Sequence, residues 1–96
     1  MRPAHAIIDL AAIRHNYRAA KTAAPKARAI AIIKANGYGH GAIEVGKTLS
    51  PIADGFGVAC IEEALELRES GISNPMLLLE GIFEPDEMKL VDEYRF

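Results

Sequence analysis

The 96-residue sequence predicts an α/β protein built around a parallel β-sheet. One predicted helix comes first, and three units of apolar strand followed by helix come after it. The first of these strands is continuously apolar and rich in isoleucine, as strands covered on both faces tend to be. Because crossovers in a parallel sheet are right-handed, we expect the three strands to lie side by side in chain order.

The first helix is predicted to begin at Asp9, a good N-cap residue that follows a short apolar run at residues 5–8. Leu10, Ile13 and Tyr17 recur at the spacing of one helical face. Pro25 ends this helix, and the first strand then runs over residues 28–33 until it stops at Lys34.

The remaining elements follow the same pattern. A glycine-rich turn at residues 37–41 leads into a second helix, which Pro51 kinks or ends. The second strand and its helix are predicted at residues 55–60 and 61–70, with Gly71 at the place of the C-terminal cap. The third strand is predicted at residues 75–79, and the last helix begins in the acidic, proline-bearing stretch 84–87.

Two architectures accept this order of elements. One is an open doubly wound sheet, and the other is part of an eight-stranded barrel, which normally needs about 250 residues. The pattern alone does not choose between them. In either case functional loops follow the C-terminal ends of the strands, where Lys34, Cys60 and Glu80 stand.

Composition narrows the classes of function. The chain is 50% apolar and 25% charged, which is ordinary for a globular protein, and its 11 basic side chains form no long run. We therefore expect no nucleic acid partner. No apolar stretch has the length of a signal peptide core or a membrane span, so we expect a cytoplasmic chain without a membrane partner. With Cys60 the single cysteine and no clustered histidines, we expect no disulfide and no metal site.

Lys34 is the strongest candidate for chemistry. It closes an apolar strand at the mouth of the predicted sheet, where burial disfavours the charged ammonium form and makes the amine nucleophilic. Lysines of this kind form imines with carbonyl compounds and with pyridoxal phosphate. The alternative is a lysine that simply extends into water, as most do.

The loop after Lys34 favours a phosphate ligand. Gly37, Gly39 and Gly41 allow positive φ and close approach of the backbone, and Gly41 stands at a helix N-terminus, which attracts anions. The hydroxyl of Tyr38 is placed to donate to a phosphate while its ring packs on the sheet edge. Neither a Walker loop nor a dinucleotide-binding fingerprint is present, so nucleotide binding is not indicated. A flexible turn with an exposed tyrosine is the alternative.

Residues 32–41, with the sequence IIKANGYGHG, resemble the pyridoxal-phosphate attachment motif of alanine racemases, which reads approximately V-[IV]-K-A-[DN]-A-Y-G-H-G. The one departure is Gly37, where the family usually has alanine. Similarity continues through residues 6–17, 58–68 and 75–81. The resemblance implies the N-terminal portion of a (β/α)8 TIM barrel, about three strand-helix units preceded by a strand and a helix. Residues 1–96 would then belong to the cofactor-binding barrel domain, with a C-terminal β domain outside this chain.

The resemblance also implies a reaction, the interconversion of L-alanine and D-alanine with pyridoxal 5'-phosphate as cofactor. The reaction would supply D-alanine for peptidoglycan or serve alanine catabolism. Lys34 would hold the cofactor as a Schiff base and act as one of two catalytic bases, and Tyr38 would hydrogen-bond the cofactor phosphate. The second base, a tyrosine from the partner subunit of a homodimer, and the binding arginines lie outside residues 1–96. We therefore expect residues 1–96 alone to be poorly stable and without racemase activity.

Two alternatives remain open from the sequence. Other barrel enzymes that use the same cofactor, such as amino-acid decarboxylases, D-threonine aldolases and cofactor-carrier proteins, also place a lysine after the first barrel strand. A non-catalytic α/β module would instead use the glycine loop to bind a phosphorylated ligand or a protein partner, and it would form no imine.

Overall fold

Five helices and three strands make up residues 2–96, the part of the chain that the computed structural model describes. The elements in chain order are α1 (Leu10–Ala23), β1 (Ile30–Ile32), α2 (Lys34–Tyr38), α3 (Ala42–Leu49), β2 (Gly55–Val58), α4 (Ile61–Glu69), β3 (Met76–Leu78) and α5 (Glu87–Tyr94). The strands form one parallel sheet in the order β1-β2-β3, which confirms the predicted chain order.

The two faces of the sheet differ because side chains alternate along each strand. Phe56 and Val58 of β2 are fully buried on the face that the helices cover, and Met76 of β3 lies beside Phe56. The opposite face is open: Ile30 and its neighbour Ile32 remain 47% and 38% exposed. The expectation that β1 is covered on both faces is therefore wrong for residues 2–96, since helices lie on one face only.

The helix boundaries follow local sequence signals in most places. Asp9 caps α1 by accepting a hydrogen bond from the backbone N–H of Ala12 at 3.0 Å, as predicted. The apolar run at residues 5–8 forms no strand, since no strand of the described residues pairs with it, and Ile7 is 94% exposed. The last helix begins at Glu87 rather than at residue 84, with a turn at residues 85–86 before it.

A polar network joins the amino-terminal ends of the strands to α1. The carboxylate of Asp54, just before β2, accepts hydrogen bonds from Lys21 Nζ at 2.7 Å and from the Ala29 N–H at 2.7 Å. The Tyr17 hydroxyl donates to the Ala29 carbonyl at 2.8 Å and accepts from the Asp54 N–H at 3.0 Å. The network therefore fixes α1 against the starts of β1 and β2.

No helix of the described residues is long and apolar enough to cross a bilayer.

We predict that Asp54 makes the stability of the protein depend on acidic pH. The hydrogen bond from Lys21, followed by that from Ala29, lowers the pKa of Asp54 below its usual value of 3.8. The ionised form therefore stabilises the folded state above pH 3.8, and this contribution is lost as the pH falls through the lowered pKa. Asp54→Asn should lower Tm at neutral pH, and the difference from wild type should shrink in acid. Asp92→Asn, on the exposed side of α5, is the control. A Tm difference that is the same at every pH would contradict this role.

Candidate active site

The three predicted polar positions do follow the carboxyl ends of the strands. β1, β2 and β3 end at Ile32, Val58 and Leu78, and Lys34, Cys60 and Glu80 each come two residues later. Because the strands are parallel and adjacent, these residues stand at one edge of the sheet. In residues 2–96 a side chain joins the first two of these loops, while Glu80, after β3, is exposed.

The segment after Lys34 is a turn of left-handed helix. Ala35, Asn36 and Gly37 have φ of 50°, 54° and 64°, and Tyr38 continues with φ of 55°. Left-handed helical backbone costs about 1–2 kcal/mol for each residue that carries a Cβ atom. The sequence predicts a glycine-rich turn that tolerates positive φ, but the conformation begins earlier and includes three residues other than glycine. Such strain persists only where surrounding contacts over-determine it.

Hydrogen bonds within the segment fix the shape of this turn. The Gly37 N–H donates to the Ile33 carbonyl at 2.8 Å, which closes the turn. The Asn36 side-chain oxygen accepts from the Ala42 N–H at 3.0 Å and so caps α3, and His40 Nδ1 lies 3.0 Å from the Gly37 carbonyl oxygen. The N–H of Ala42, the first residue of α3, is engaged by Asn36. One of the backbone donors at the predicted anion-binding helix terminus is therefore not available to an anion.

A side chain from outside the segment fixes its position. Glu63, in the first turn of α4, accepts a hydrogen bond from the Ala35 N–H through Oε2 at 2.7 Å. Its other oxygen, Oε1, accepts from the Ala59 N–H at 2.7 Å. One carboxylate therefore joins the loop after β1 to the loop after β2.

Lys34 and Tyr38 keep their polar groups available. Lys34 is half-buried, and in residues 2–96 its amine has neither an ion pair nor a hydrogen bond. Tyr38 is 59% exposed, and no described residue hydrogen-bonds its hydroxyl. Tyr38 is the last residue of the short helical segment that Lys34 begins. Tyr38 also lines a groove of about 430 Å³ between α1, β1 and α3.

Cys60 is the N-cap residue of α4 and is half-buried. The Glu63 backbone N–H lowers the pKa of the Cys60 thiol, but burial and the carboxylates of Glu62 and Glu63 outweigh it and raise the pKa above the usual value. The thiol is therefore protonated and weakly nucleophilic at neutral pH.

Within residues 2–96 no cluster of side chains has the composition of a metal site.

Sequence reasoning missed two residues that build the site, Glu63 and Asn36. A signal existed for each. Glu63 stands three positions after the N-cap Cys60, where glutamate reaches back to a backbone N–H in a capping box. Asn36 is of the residue type that, after glycine, most readily adopts positive φ. What no local signal indicates is that Glu63 also reaches the loop after another strand.

The chain is similar to known proteins in both sequence and structure. A family model described as the N-terminal domain of alanine racemase matches residues 8–96. Alanine racemase of Xanthomonas axonopodis pv. citri is 60% identical over 98% of this chain, and the catabolic alanine racemase of Pseudomonas aeruginosa is 59% identical over 100% of it. The crystal structure of biosynthetic alanine racemase from Pseudomonas aeruginosa matches with a TM-score of 0.93 and 55% identity over 99% of the chain. This chain spans 25% to 27% of the length of these three proteins.

We predict that Asn36 stabilises the turn in two separable ways. Asn36→Ala removes the cap on Ala42 and puts a less suitable side chain at positive φ, so the free energy of unfolding should fall by about 1–2 kcal/mol. Asn36→Gly also removes the cap but tolerates positive φ, so it should be less destabilising than Asn36→Ala by about 1 kcal/mol. Urea unfolding measures both. Asn36→Asp, which keeps an acceptor oxygen, is the control, and equal losses for alanine and glycine would show that backbone strain contributes nothing.

Proposed function

This chain belongs to the alanine racemase family, and we propose on that premise that its parent protein interconverts L-alanine and D-alanine with pyridoxal 5'-phosphate held by Lys34. The observation that carries the proposal is the free amine of Lys34 at the carboxyl edge of the sheet, with Tyr38 one left-handed turn further on. Active sites of α/β barrels lie at this edge. The match to the N-terminal part of a racemase barrel supports the same location.

Residues 1–96 contribute only part of the machinery. The chain spans about a quarter of the length of its curated relatives. On the family resemblance, we propose that the parent protein supplies the remaining strands of the barrel and a C-terminal β domain. The second catalytic base would be a tyrosine from the partner subunit of a homodimer. The open face of the sheet, with Ile30 and Ile32 exposed, agrees with a barrel that needs further strands. We therefore propose that residues 1–96 by themselves do not racemise alanine.

The residues at the sheet edge suit a phosphorylated aldehyde. The Lys34 amine is uncommitted, and a Cβ atom added at Gly39 or Gly41 would meet nothing within 4 Å, so there is room beside the loop backbone. Lys34 Nζ would hold the aldehyde carbon of the cofactor through a C=N bond. When bound, pyridoxal phosphate withdraws electrons from the substrate Cα and acidifies its proton. Lys34 Nζ would then take the substrate Cα proton or return one on its own face.

We propose that Tyr38 binds the cofactor phosphate. It lines the groove beside β1, and that groove contains no residue of β2 or β3. β1 is an edge strand in these residues, and in a closed eight-stranded barrel the last strand pairs with the first. Phosphate sites in such barrels are frequently formed by the loops after the seventh and eighth strands. Tyr38 therefore stands on the side of β1 where a phosphate is expected.

The physiological role would be either D-alanine supply for peptidoglycan or alanine catabolism. The relatives named biosynthetic and catabolic are similar to this chain to nearly the same degree, so the first quarter of the protein does not separate the two roles. The family match and the Tyr38-Gly39-His40-Gly41 run favour a racemase over a decarboxylase, an aldolase or a non-catalytic module.

The proposal predicts that borohydride reduction of the full-length protein with pyridoxal phosphate labels Lys34. Mass spectrometry of the digested protein should find the reduced cofactor on the peptide that contains this lysine. Lys34→Ala should abolish the label and lower racemase activity to background, because no amine remains at that position. Lys47→Ala, an exposed lysine of α3, should retain both. A label on another lysine, or no label, would refute the assignment.

For Tyr38 we predict a loss of affinity confined to the phosphate. Tyr38→Phe removes one hydrogen bond to a charged group, so Kd for pyridoxal phosphate should rise on the order of tenfold. Kd for pyridoxal, which lacks the phosphate, should stay unchanged. Fluorescence titration of the apoprotein measures both constants, with Tyr94→Phe on α5 as the control. An equal effect on the two ligands would assign Tyr38 to packing.

A further inference from the structure

The Glu63 carboxylate links the residue directly after Lys34 to the second strand-helix unit. Oε2 lies 2.7 Å from the Ala35 backbone N, and Oε1 lies 2.7 Å from the Ala59 backbone N. In the described residues no backbone carbonyl accepts from either N–H group. The carboxylate thus satisfies two donors that the loops themselves leave without a partner.

The first of these donors belongs to the residue where the left-handed turn begins. Ala35 has φ of 50° and ψ of 50°, a conformation that an alanine does not prefer. Asn36 and His40 also hold the turn, but both bond within residues 36–42, so they fix its shape and not its place. Among the described residues, Glu63 supplies the side-chain hydrogen bond to this turn that comes from the second strand-helix unit.

The element that carries Glu63 is firmly packed. Ile61, Ala64 and Leu67 of α4 are 3%, 0% and 1% exposed, so the helix backbone has little freedom to move. A hydrogen bond from this helix therefore holds the backbone at Ala35 in a fixed position relative to the core. Because Lys34 is the preceding residue, the bond also limits the direction in which its side chain leaves the backbone.

Glu63 does not act on the lysine amine directly. Among residues 2–96 the ion pair found is Lys21 with Asp54, at the opposite end of the sheet, and none joins Glu63 to Lys34. Both carboxylate oxygens are already engaged by backbone N–H groups. The Lys34 amine is consequently left free while its backbone is held.

We infer that Glu63 is a positioning residue for Lys34: by bridging the Ala35 and Ala59 N–H groups, it holds the left-handed turn that aims the lysine amine at its aldehyde partner. The inference rests on the proposed function of Lys34. Reacting atoms must meet within a narrow range of distance and angle, and a misplacement of about 1 Å can lower a rate on the order of a hundredfold. A residue that fixes the lysine backbone therefore affects the rate without touching the reacting atoms.

The test compares Glu63→Gln with Glu66→Gln in the full-length holoenzyme. Glutamine keeps the size of the side chain but offers one acceptor oxygen and places an NH2 donor against the second N–H, so one bridge bond is lost. Glu66 is exposed on the same helix, so its variant removes the same charge without touching either loop. Borohydride labelling at Lys34 gives the number of competent sites, and kcat and KM for alanine are expressed per labelled site.

We expect Glu63→Gln to lower kcat per labelled site at least tenfold with KM within about twofold of wild type, while Glu66→Gln changes neither. Expressing rates per labelled site separates positioning from loss of folded protein. If Glu63→Gln lowers only Tm and keeps the wild-type kcat per site, the positioning role is overturned. If the wild-type enzyme itself carries no label at Lys34, the proposed function fails first.

A second variant tests the mechanism through the backbone. Ala35→Gly reduces the cost of positive φ, so the turn depends less on Glu63. The double variant Ala35→Gly, Glu63→Gln should therefore recover part of the kcat that Glu63→Gln loses. A double variant no faster than Glu63→Gln would contradict the role assigned to the hydrogen bond at Ala35.

Discussion

The backbone path directly after β1 is the constraint on which the candidate site depends. Residues 35–38 have positive φ, and three of them carry side chains that disfavour it. A right-handed turn at this place would start α3 elsewhere, and α3 buries Val45 and Leu49 in the core. The packing of α3 and the placement of Lys34 and Tyr38 therefore require the same strained turn.

The two ends of the sheet differ in role: one end holds a stabilising polar network, and the other holds the candidate active site. At the amino-terminal ends, Asp54, Tyr17 and Lys21 satisfy one another and join α1 to the sheet. At the carboxyl ends the backbone is strained, and the amine of Lys34 and hydroxyl of Tyr38 have no partner in the described residues. This division is the one expected of α/β barrels, in which the carboxyl face carries the site and the amino face carries stability.

The two faces of the sheet also differ in how well they are packed. The helices cover Phe56 and Val58 completely, whereas Leu77 and Leu79 of the other face stay 47% and 43% exposed. Gly57 of β2 lies between these leucines and β1. The side chain of Ile32 packs over Gly57, and a Cβ atom added at Gly57 would lie 2.5 Å from Ile32 Cδ1. In a complete barrel this face lines the interior, where side chains from several strands fill the space. The helix-covered face is thus fully packed in the described residues, while the opposite face is exposed, as the interior face of an unclosed barrel would be.

The sequence by itself determined the order of elements, the parallel sheet and the position of Lys34 at its carboxyl edge, because apolar runs, the Asp9 cap and the glycines are local signals. It also indicated the attachment motif at residues 32–41, since ten adjacent residues carry that resemblance. Only the tertiary structure decided that the turn is left-handed from Ala35 onward and that Glu63 holds it. Those features depend on hydrogen bonds between residues 28 positions apart, and a contact across two strand-helix units leaves no periodicity or spacing in the sequence. The apolar run at residues 5–8 forms no strand for the same reason, because strand pairing is decided by a partner and not by the apolar run alone.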